Sequence, residues 1–77
     1  MIDYQIDSSQ CRAARALLHW SQGKLAGKSD VSKKAIADFE REVSSPQKST
    51  LKSIKSALFD EGIEFIEGGV KFNEKIT

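Results

Sequence analysis

Between Ser21 and Arg41 the sequence contains two short helical patterns separated by a turn of three or four residues. Ser21 is a candidate N-cap for the first pattern, and Ser32 is a candidate N-cap for the second. Two such helices can cross at a steep angle only where the residue at their contact is small, and Ala26 occupies that position. The segment is therefore expected to fold as two short helices that are broken at Ser29-Asp30.

The second of these helices divides into an apolar inner face and a polar outer face. Val31 precedes the cap and Ile36 lies four residues after it, which is the arrangement of a hydrophobic staple. The residues expected on the inner face are Ile36, Phe39 and Val43. The residues expected on the outer face are Ser32, Lys33, Lys34, Ala37, Asp38 and Arg41. This helix should therefore be held by its neighbours while it presents a polar, mostly cationic surface.

The N-terminal part of the chain predicts a strand and then a helix. Apolar residues alternate with polar ones at Ile2, Tyr4 and Ile6, which is the period of a half-buried strand. Ser8 or Ser9 offers an N-cap for the helix that follows. The apolar stripe of that helix is expected to comprise Ala14, Leu17, Leu18 and Trp20.

A fourth helix is predicted after a stop at Pro46. Proline lacks an N–H group and disfavours helical backbone at the preceding residue. The new helix should be capped near Ser49 or Thr50 and should end at Gly62, which suits the left-handed closing position. Its inward-facing residues are expected to be Leu51, Ile54 and Leu58.

The C-terminal part of the chain predicts a β-hairpin. Apolar and polar residues alternate on both sides of Gly68-Gly69, and a pair of glycines between two such runs favours a two-residue turn. Residues 1–77 are therefore expected to form one mainly α domain. Its helical core would span residues 8–62, and the hairpin would span residues 63–73.

The single cysteine, Cys11, and the single histidine, His19, leave apolar packing as the source of stability. Neither an internal disulfide nor a Cys/His zinc site can form from these two residues. We expect no enzyme, cofactor or metal, because the sequence lacks paired carboxylates, a Ser/His/Asp set and a glycine-rich phosphate loop. No apolar run reaches the roughly 18–20 residues of a membrane span, so a cytoplasmic protein without a membrane partner is expected.

Charge is distributed unevenly along the chain, although the formal net charge is only +1. The segment from Arg12 to Lys55 holds ten basic and four acidic residues, a balance of +6. The rest of the chain holds two basic and seven acidic residues, a balance of −5. This asymmetry is typical of a protein with one face against a polyanion, and it is equally typical of lysines that solvate helix surfaces.

Three stretches of the sequence resemble one known family. They are A-R-A-L-L-x-W-S-Q-x-x-L-A from Ala14 to Ala26, V-S-x-x-x-I-x-x-F-E from Val31 to Glu40, and S-T-L-x-x-I-x-x-A-L-x-x-x-G-I-x-F-I from Ser49 to Ile66. Together they resemble the XRE-type (Cro-like) helix-turn-helix regulators, a family that includes small phage and bacterial repressors. The resemblance covers residues 13–66 and implies a lambda-repressor-like helix-turn-helix domain of about four helices.

The resemblance also implies that the helix beginning at Ser32 reads double-stranded DNA. The positions that would face bases are occupied by Ser32, Lys33, Lys34 and Asp38. Gln22 would hold the DNA backbone and support the reading helix. The other positions that would contact phosphate are occupied by Arg41, Lys48, Ser49 and Thr50. Lysine is a point-charge donor that suits either guanine O6 and N7 or a phosphate.

Three acidic residues lie at positions where a negative charge or a side chain is unexpected in this pattern. Asp38 could accept a hydrogen bond from cytosine N4, exclude wrong sequences, or pair with Lys34 four residues earlier. Asp30 and Glu42 stand where the family usually has glycine. Aspartate tolerates left-handed backbone better than most residues, so the turn at Asp30 is expected to survive. Glu42 would repel phosphate, so it either points away from the DNA or weakens binding locally.

Two functions remain open. The first is a sequence-specific transcriptional regulator, a repressor that binds a palindromic operator as a homodimer. The dimer would form through residues 63–73, joined by residues 2–6, because exposed strand edges are covered when they pair between subunits. The alternative is an antitoxin or anti-repressor type of interaction module, whose acidic tail binds a protein partner.

Overall fold

A computed structural model of the chain describes residues 6–73. This range contains four α-helices followed by one antiparallel hairpin, which confirms the predicted mainly helical, lambda-repressor-like fold. The elements are α1 (Ser8–Leu18), α2 (Gln22–Ser29), α3 (Lys33–Glu40), α4 (Lys48–Phe59), β1 (Ile63–Ile66) and β2 (Gly69–Phe72). The strand predicted from Ile2 to Ile6 falls outside the described residues except for Ile6, which is buried.

The N-cap of α1 is Asp7, so the prediction of Ser8 or Ser9 is wrong. An Asp7 carboxylate oxygen accepts the Gln10 N–H at 2.7 Å, and the Gln10 side-chain oxygen accepts the Asp7 N–H at 3.0 Å. These two bonds form a complete capping box, which satisfies two donors at once and so outcompetes a single serine hydroxyl. Ser8 lies in the first helical turn and is buried.

The pair formed by α2 and α3 has the predicted caps and the predicted break. The Ser21 hydroxyl accepts the Lys24 N–H at 3.0 Å, and the Ser32 hydroxyl accepts the Ala35 N–H at 3.1 Å. Between the two helices Asp30 takes left-handed backbone angles, with φ 60° and ψ 31°. An aspartate therefore makes the turn for which the family usually has glycine, as expected.

The core lies where the four helices meet β1. Its fully buried side chains are Cys11, Leu25, Ile36, Ile54, Leu58 and Ile63. Burying one leucine or isoleucine side chain stabilises a fold by about 1.5–3 kcal/mol, so these contacts fix α3 against its neighbours. Two residues predicted to face inward, Leu17 and Val43, are exposed. Leu17 lies beside the stripe that Cys11 and Ala14 form, and Val43 lies beyond the end of α3.

The bounds of α4 differ from the prediction at both ends. Its N-cap is Gln47, so a cap at Ser49 or Thr50 is wrong, and both of those residues belong to the first helical turn. The helix starts early enough for the Leu51 N–H to donate to the Gln47 carbonyl at 3.0 Å, which sets Leu51 against the core. The helix ends at Phe59 rather than at Gly62, although Gly62 does adopt a positive φ of 94°.

The hairpin turn is Glu67-Gly68, one residue earlier than predicted, and Gly68 supplies the positive φ of 78°. The paired residues are Ile63 with Phe72, Glu64 with Lys71, Phe65 with Val70 and Ile66 with Gly69. A turn at Gly68-Gly69 would have set Glu67 opposite Val70 and Ile66 opposite Lys71. The observed register instead pairs apolar with apolar and acid with base, because cross-strand pairs determine which register is stable.

Gln10 joins the hairpin to α1. Its side-chain nitrogen donates to the Ile66 carbonyl at 2.8 Å and to the Gly69 carbonyl at 3.1 Å, at the two ends of the turn. Ile63 is fully buried at the start of β1. The hairpin is therefore attached to the helical core through both hydrogen bonds and apolar packing.

Candidate nucleic-acid interface

The first turn of α3 is accessible because the helix is held from its other side. Ile36 and Phe39 are buried against the core, while Ser32, Lys33 and Lys34 are exposed. The side chain of Lys34 is 83% exposed. The structure therefore brings three of the four predicted base-facing residues together on one accessible turn.

Asp38, the fourth predicted base-facing residue, is paired with two cations of its own helix. Its carboxylate lies 2.9 Å from the Lys34 ammonium nitrogen and 2.8 Å from an Arg41 guanidinium nitrogen. Hydrogen bonds from Lys34 and then from Arg41 hold the pKa of the Asp38 carboxyl below its ordinary value. Pairing with Lys34, one of the three roles left open for Asp38, is the arrangement in this structure.

The first turn of α4 lies beside the first turn of α3. Lys48 and Ser49 are exposed and Thr50 is half-buried. One shallow groove between the two helices is lined by Asp30, Val31, Ser32, Ala35, Ser49, Thr50 and Ser53. Among the described residues no side chain caps α4, so the N–H groups of its first turn and the positive end of its dipole suit an anion. This groove therefore brings together Ser32 of the predicted base-facing residues and Ser49 and Thr50 of the predicted phosphate-facing residues.

Gln22 braces α3 from the start of α2. Its side-chain nitrogen donates to Glu40 Oε1 at 3.0 Å, and the side chain is half-buried. The backbone N–H of Gln22 occupies the first helical position, where N–H groups have no partner within the helix. Gln22 therefore supports α3 with its side chain, and its backbone N–H remains available to a hydrogen-bond acceptor outside the helix.

Glu40 is the centre of a buried network that links three helices. Its side chain is only 3% exposed, and Arg15 of α1 donates to both carboxylate oxygens, from Nη2 at 2.6 Å and from Nε at 2.7 Å. The Cys11 thiol donates to Oε2 at 3.1 Å. Burial raises the pKa of the Glu40 carboxyl, but the hydrogen bonds from Arg15, Gln22 and Cys11 outweigh burial and leave the pKa below its ordinary value.

Sequence reasoning missed this network, because arginines on a helix most often cover the core with their stems while their charge stays in water. A signal was nevertheless present. Arg15 lies four residues after Cys11 on the inner stripe of α1, and Glu40 lies four residues after Ile36 on the inner stripe of α3. Two opposite charges on two inner stripes indicate a buried ion pair, since neither charge is stable there alone.

Glu42 lies between the start of α1 and the loop that leads to α4. Its backbone takes a positive φ of 61°, the conformation that glycine would adopt at this position. Its carboxylate accepts a hydrogen bond from the Ser8 hydroxyl at 2.8 Å, at the N-terminus of α1, where the helix dipole favours a negative charge. Glu42 and Lys48 line the same pocket, and both alternatives for Glu42 towards DNA stay predictions.

A family model described as helix-turn-helix matches residues 12–59, which are 48 of the 77 residues. The match covers most of α1 and all of α2, α3 and α4. No curated protein matches the chain. Across residues 6–73, no helix combines the length and apolar character needed to cross a bilayer.

Proposed function

The chain belongs to the XRE-type helix-turn-helix family of DNA-binding transcriptional regulators, and from this premise we propose that it is a repressor that binds a palindromic operator as a homodimer. The observation that carries the proposal is the common face formed by the first turns of α3 and α4. The family is one of regulatory DNA-binding domains and not of enzymes.

In the proposed complex α3 enters the major groove with its N-terminal turn towards the bases. An α-helix with its side chains is about 10–12 Å in diameter, which fits a groove about 12 Å wide. Lys33 and Lys34 would donate to guanine O6 and N7 or to adjacent phosphates. Ser32 and Asp38 would complete the base-facing set.

Phosphates on both sides of the groove would be held by two further elements. Lys48, Ser49 and Thr50 would bind one phosphate with side-chain donors and the uncapped N-terminus of α4. Gln22 would bind a second phosphate at the start of α2, and Arg41 would reach the backbone from the end of α3. These phosphate contacts would fix the position of α3 along the duplex, and they do not depend on the base sequence of the DNA.

A homodimer is supported by the hairpin and by the end of α4. Phe59, Ile66 and Phe72 are 57%, 42% and 47% exposed, and contact with a second copy would cover part of this apolar surface. One reading helix makes few base contacts, and a dimer doubles them. The described residues extend over 34 × 29 × 19 Å, so two copies side by side can span half-sites about 34–36 Å apart.

Selection of bound fragments from a pool of random duplex DNA tests this proposal. We expect enrichment of an inverted repeat whose half-sites lie one helical turn apart, and binding that weakens steeply as salt increases. A cytoplasmic location is part of this proposal. The proposal fails if the folded protein enriches no sequence and shows no salt-sensitive retention at low salt.

The exposed apolar residues also support a second function, in which they bind a different protein, as in an antitoxin or anti-repressor. Acidic residues lie close to them along the chain, at the end of α4 and in the hairpin: Asp60, Glu64 and Glu67. The solution mass of the purified chain separates the two functions. Twice the chain mass at high micromolar concentration supports the homodimer, and one chain mass favours a protein partner at this surface.

A further inference from the structure

Two residues of α3 and its C-cap residue form a charge cluster on the proposed DNA-facing side, which we call the cation clamp: Lys34, Asp38 and Arg41. One Asp38 oxygen accepts from Lys34 at 2.9 Å and the other accepts from Arg41 at 2.8 Å. The side chains of Lys34 and Arg41 are 83% and 67% exposed, whereas that of Asp38 is 17% exposed. The carboxylate is thus largely shielded from solvent, whereas both cations are accessible to an incoming ligand.

The clamp places an internal anion in competition with DNA. A carboxylate and a phosphate both accept from lysine and arginine through two or more oxygens, so either can hold the same cation. While Asp38 holds Lys34 and Arg41, each of those cations is partly neutralised towards an incoming phosphate. A phosphate must therefore displace Asp38 to bind either cation, whereas an uncharged base edge can share the three N–H donors of Lys34 with Asp38.

The strength of the ion pairs in the clamp decides which contacts with DNA they suppress. An exposed ion pair changes an equilibrium by about fivefold at most. A phosphate contact in high dielectric has a similar strength, because it is also an exposed pair. A well-placed contact between a side chain and the correct base discriminates by roughly 5- to 150-fold. A matching base can therefore bind Lys34 without breaking the pair with Asp38, whereas a phosphate gains little because it competes with Asp38 on nearly equal terms.

We propose that Asp38 is a specificity-determining residue that acts through Lys34 and Arg41, by withholding both cations from non-cognate DNA. This role rests on the proposed DNA-binding function and deepens it. Its effect is on the ratio of cognate to random-sequence affinity. A direct contact from Asp38 to a base is not needed for it.

The test is Asp38→Asn, measured on random-sequence duplex and on a duplex selected by the wild-type protein. Asparagine keeps the size of the side chain and removes its charge, so Lys34 and Arg41 become available to any phosphate. We expect random-sequence affinity to increase by about three- to tenfold, with a salt slope steeper by up to about one. Affinity for the selected duplex should increase less, so the ratio between the two falls.

Two further variants distinguish the effect of the clamp from the effect of a change in net charge. Glu61→Gln makes the same change in net charge at an exposed residue beyond the far end of α4, about 18 Å along that helix from Lys48. It should leave the ratio unchanged. Asp38→Glu keeps the charge and can still reach both cations, so it should restore a ratio close to that of the wild-type protein.

Three outcomes would overturn the role proposed for Asp38. If Asp38→Asn loses affinity only for the selected duplex, Asp38 is a direct base contact. If it behaves like Glu61→Gln, the clamp has no influence on specificity. If the wild-type protein binds neither duplex at low salt, the DNA-binding proposal fails and the clamp fails with it.

Discussion

At the scale of single residues, Glu40 connects the interior of the domain to its proposed DNA face. Removing a carboxylate from water is costly unless hydrogen bonds and an opposite charge replace the water. Arg15 and Cys11 from α1 and Gln22 from α2 provide those bonds, and all of them converge on one residue near the end of α3. The orientation of the reading helix is therefore set partly by a polar network and not by apolar packing alone.

The pKa of Glu40 makes this network sensitive to acid. Because the folded-state pKa lies below the ordinary value of 4.5, the ionised carboxylate stabilises the fold above about pH 4.5. That stability is lost as pH falls through the folded-state pKa. Glu40→Gln should lower the free energy of unfolding by about 2–3 kcal/mol at pH 7, because it leaves Arg15 without its charge partner.

Urea unfolding of both proteins from pH 7 to pH 3 measures this effect. The gap in unfolding free energy between wild type and Glu40→Gln should narrow as pH falls below 4.5 and through the lowered folded-state pKa, since the wild-type carboxylate then becomes protonated. A gap of constant size over the whole range would show that the charge of Glu40 does not stabilise the fold.

At the scale of the secondary-structure elements, α4 differs from the other three helices at its N-terminus. Asp7, Ser21 and Ser32 cap α1, α2 and α3 with side-chain oxygens, whereas Gln47 makes no such bond to α4 among the described residues. An N-cap side chain would stabilise the helix by about 1 kcal/mol, and α4 lacks this contribution. The missing cap also leaves N–H groups for a phosphate, which matches the role proposed for Lys48, Ser49 and Thr50.

Two substitutions at Gln47 distinguish the effect of a helix cap on the stability of the fold from its effect on DNA binding. Gln47→Ser and Gln47→Asp should each raise the free energy of unfolding by about 0.5–1 kcal/mol, because each supplies a cap. Gln47→Asp should also weaken binding to all DNA sequences by on the order of tenfold, since it sets a negative charge beside the phosphate. Thermal unfolding and binding titrations check the two effects. Equal DNA affinity for both variants would argue against a phosphate at this helix end.

Features that depend on neighbours in sequence could be predicted, and features that depend on distant partners could not. The caps at Ser21 and Ser32 and the turn at Asp30 are local, and all three were predicted correctly. The hairpin turn was misplaced by one residue because the register depends on pairs across two strands. The Arg15–Glu40 pair joins residues 25 apart, and its two charges look like ordinary surface charges until α1 and α3 are packed together.

At the scale of the whole molecule, the basic residues and the apolar side chains proposed for the dimer lie in different parts of the chain. Basic residues dominate from Arg12 to Lys55, a segment that includes the starts of α3 and α4. Exposed apolar side chains lie at Phe59, Ile66 and Phe72, in the acidic C-terminal part of the chain. A dimer formed through the second part would leave the first free to contact DNA.

Phe72→Lys tests the proposed dimer surface. A charged side chain there should repel its copy across the two-fold axis, so the solution mass should fall from two chains to one. Affinity for a palindromic duplex should fall by on the order of tenfold or more, because two half-sites no longer act together. Val43→Lys alters an exposed apolar residue outside the hairpin and should leave the mass unchanged. If Phe72→Lys still has the mass of two chains, the dimer interface does not include Phe72.

The central claim is that α3 reads bases while α4 holds phosphate, and one comparison of variants tests it most directly. Lys34→Ala, Lys48→Ala and the control Lys28→Ala, at the end of α2, are titrated against selected and scrambled duplexes over a range of salt. Lys34→Ala should cost roughly 1–3 kcal/mol on the selected duplex and relax preference at one base pair. Lys48→Ala should weaken both duplexes alike and lower the salt slope by about one, and Lys28→Ala should do neither. Equal losses from all three variants on both duplexes would contradict the account.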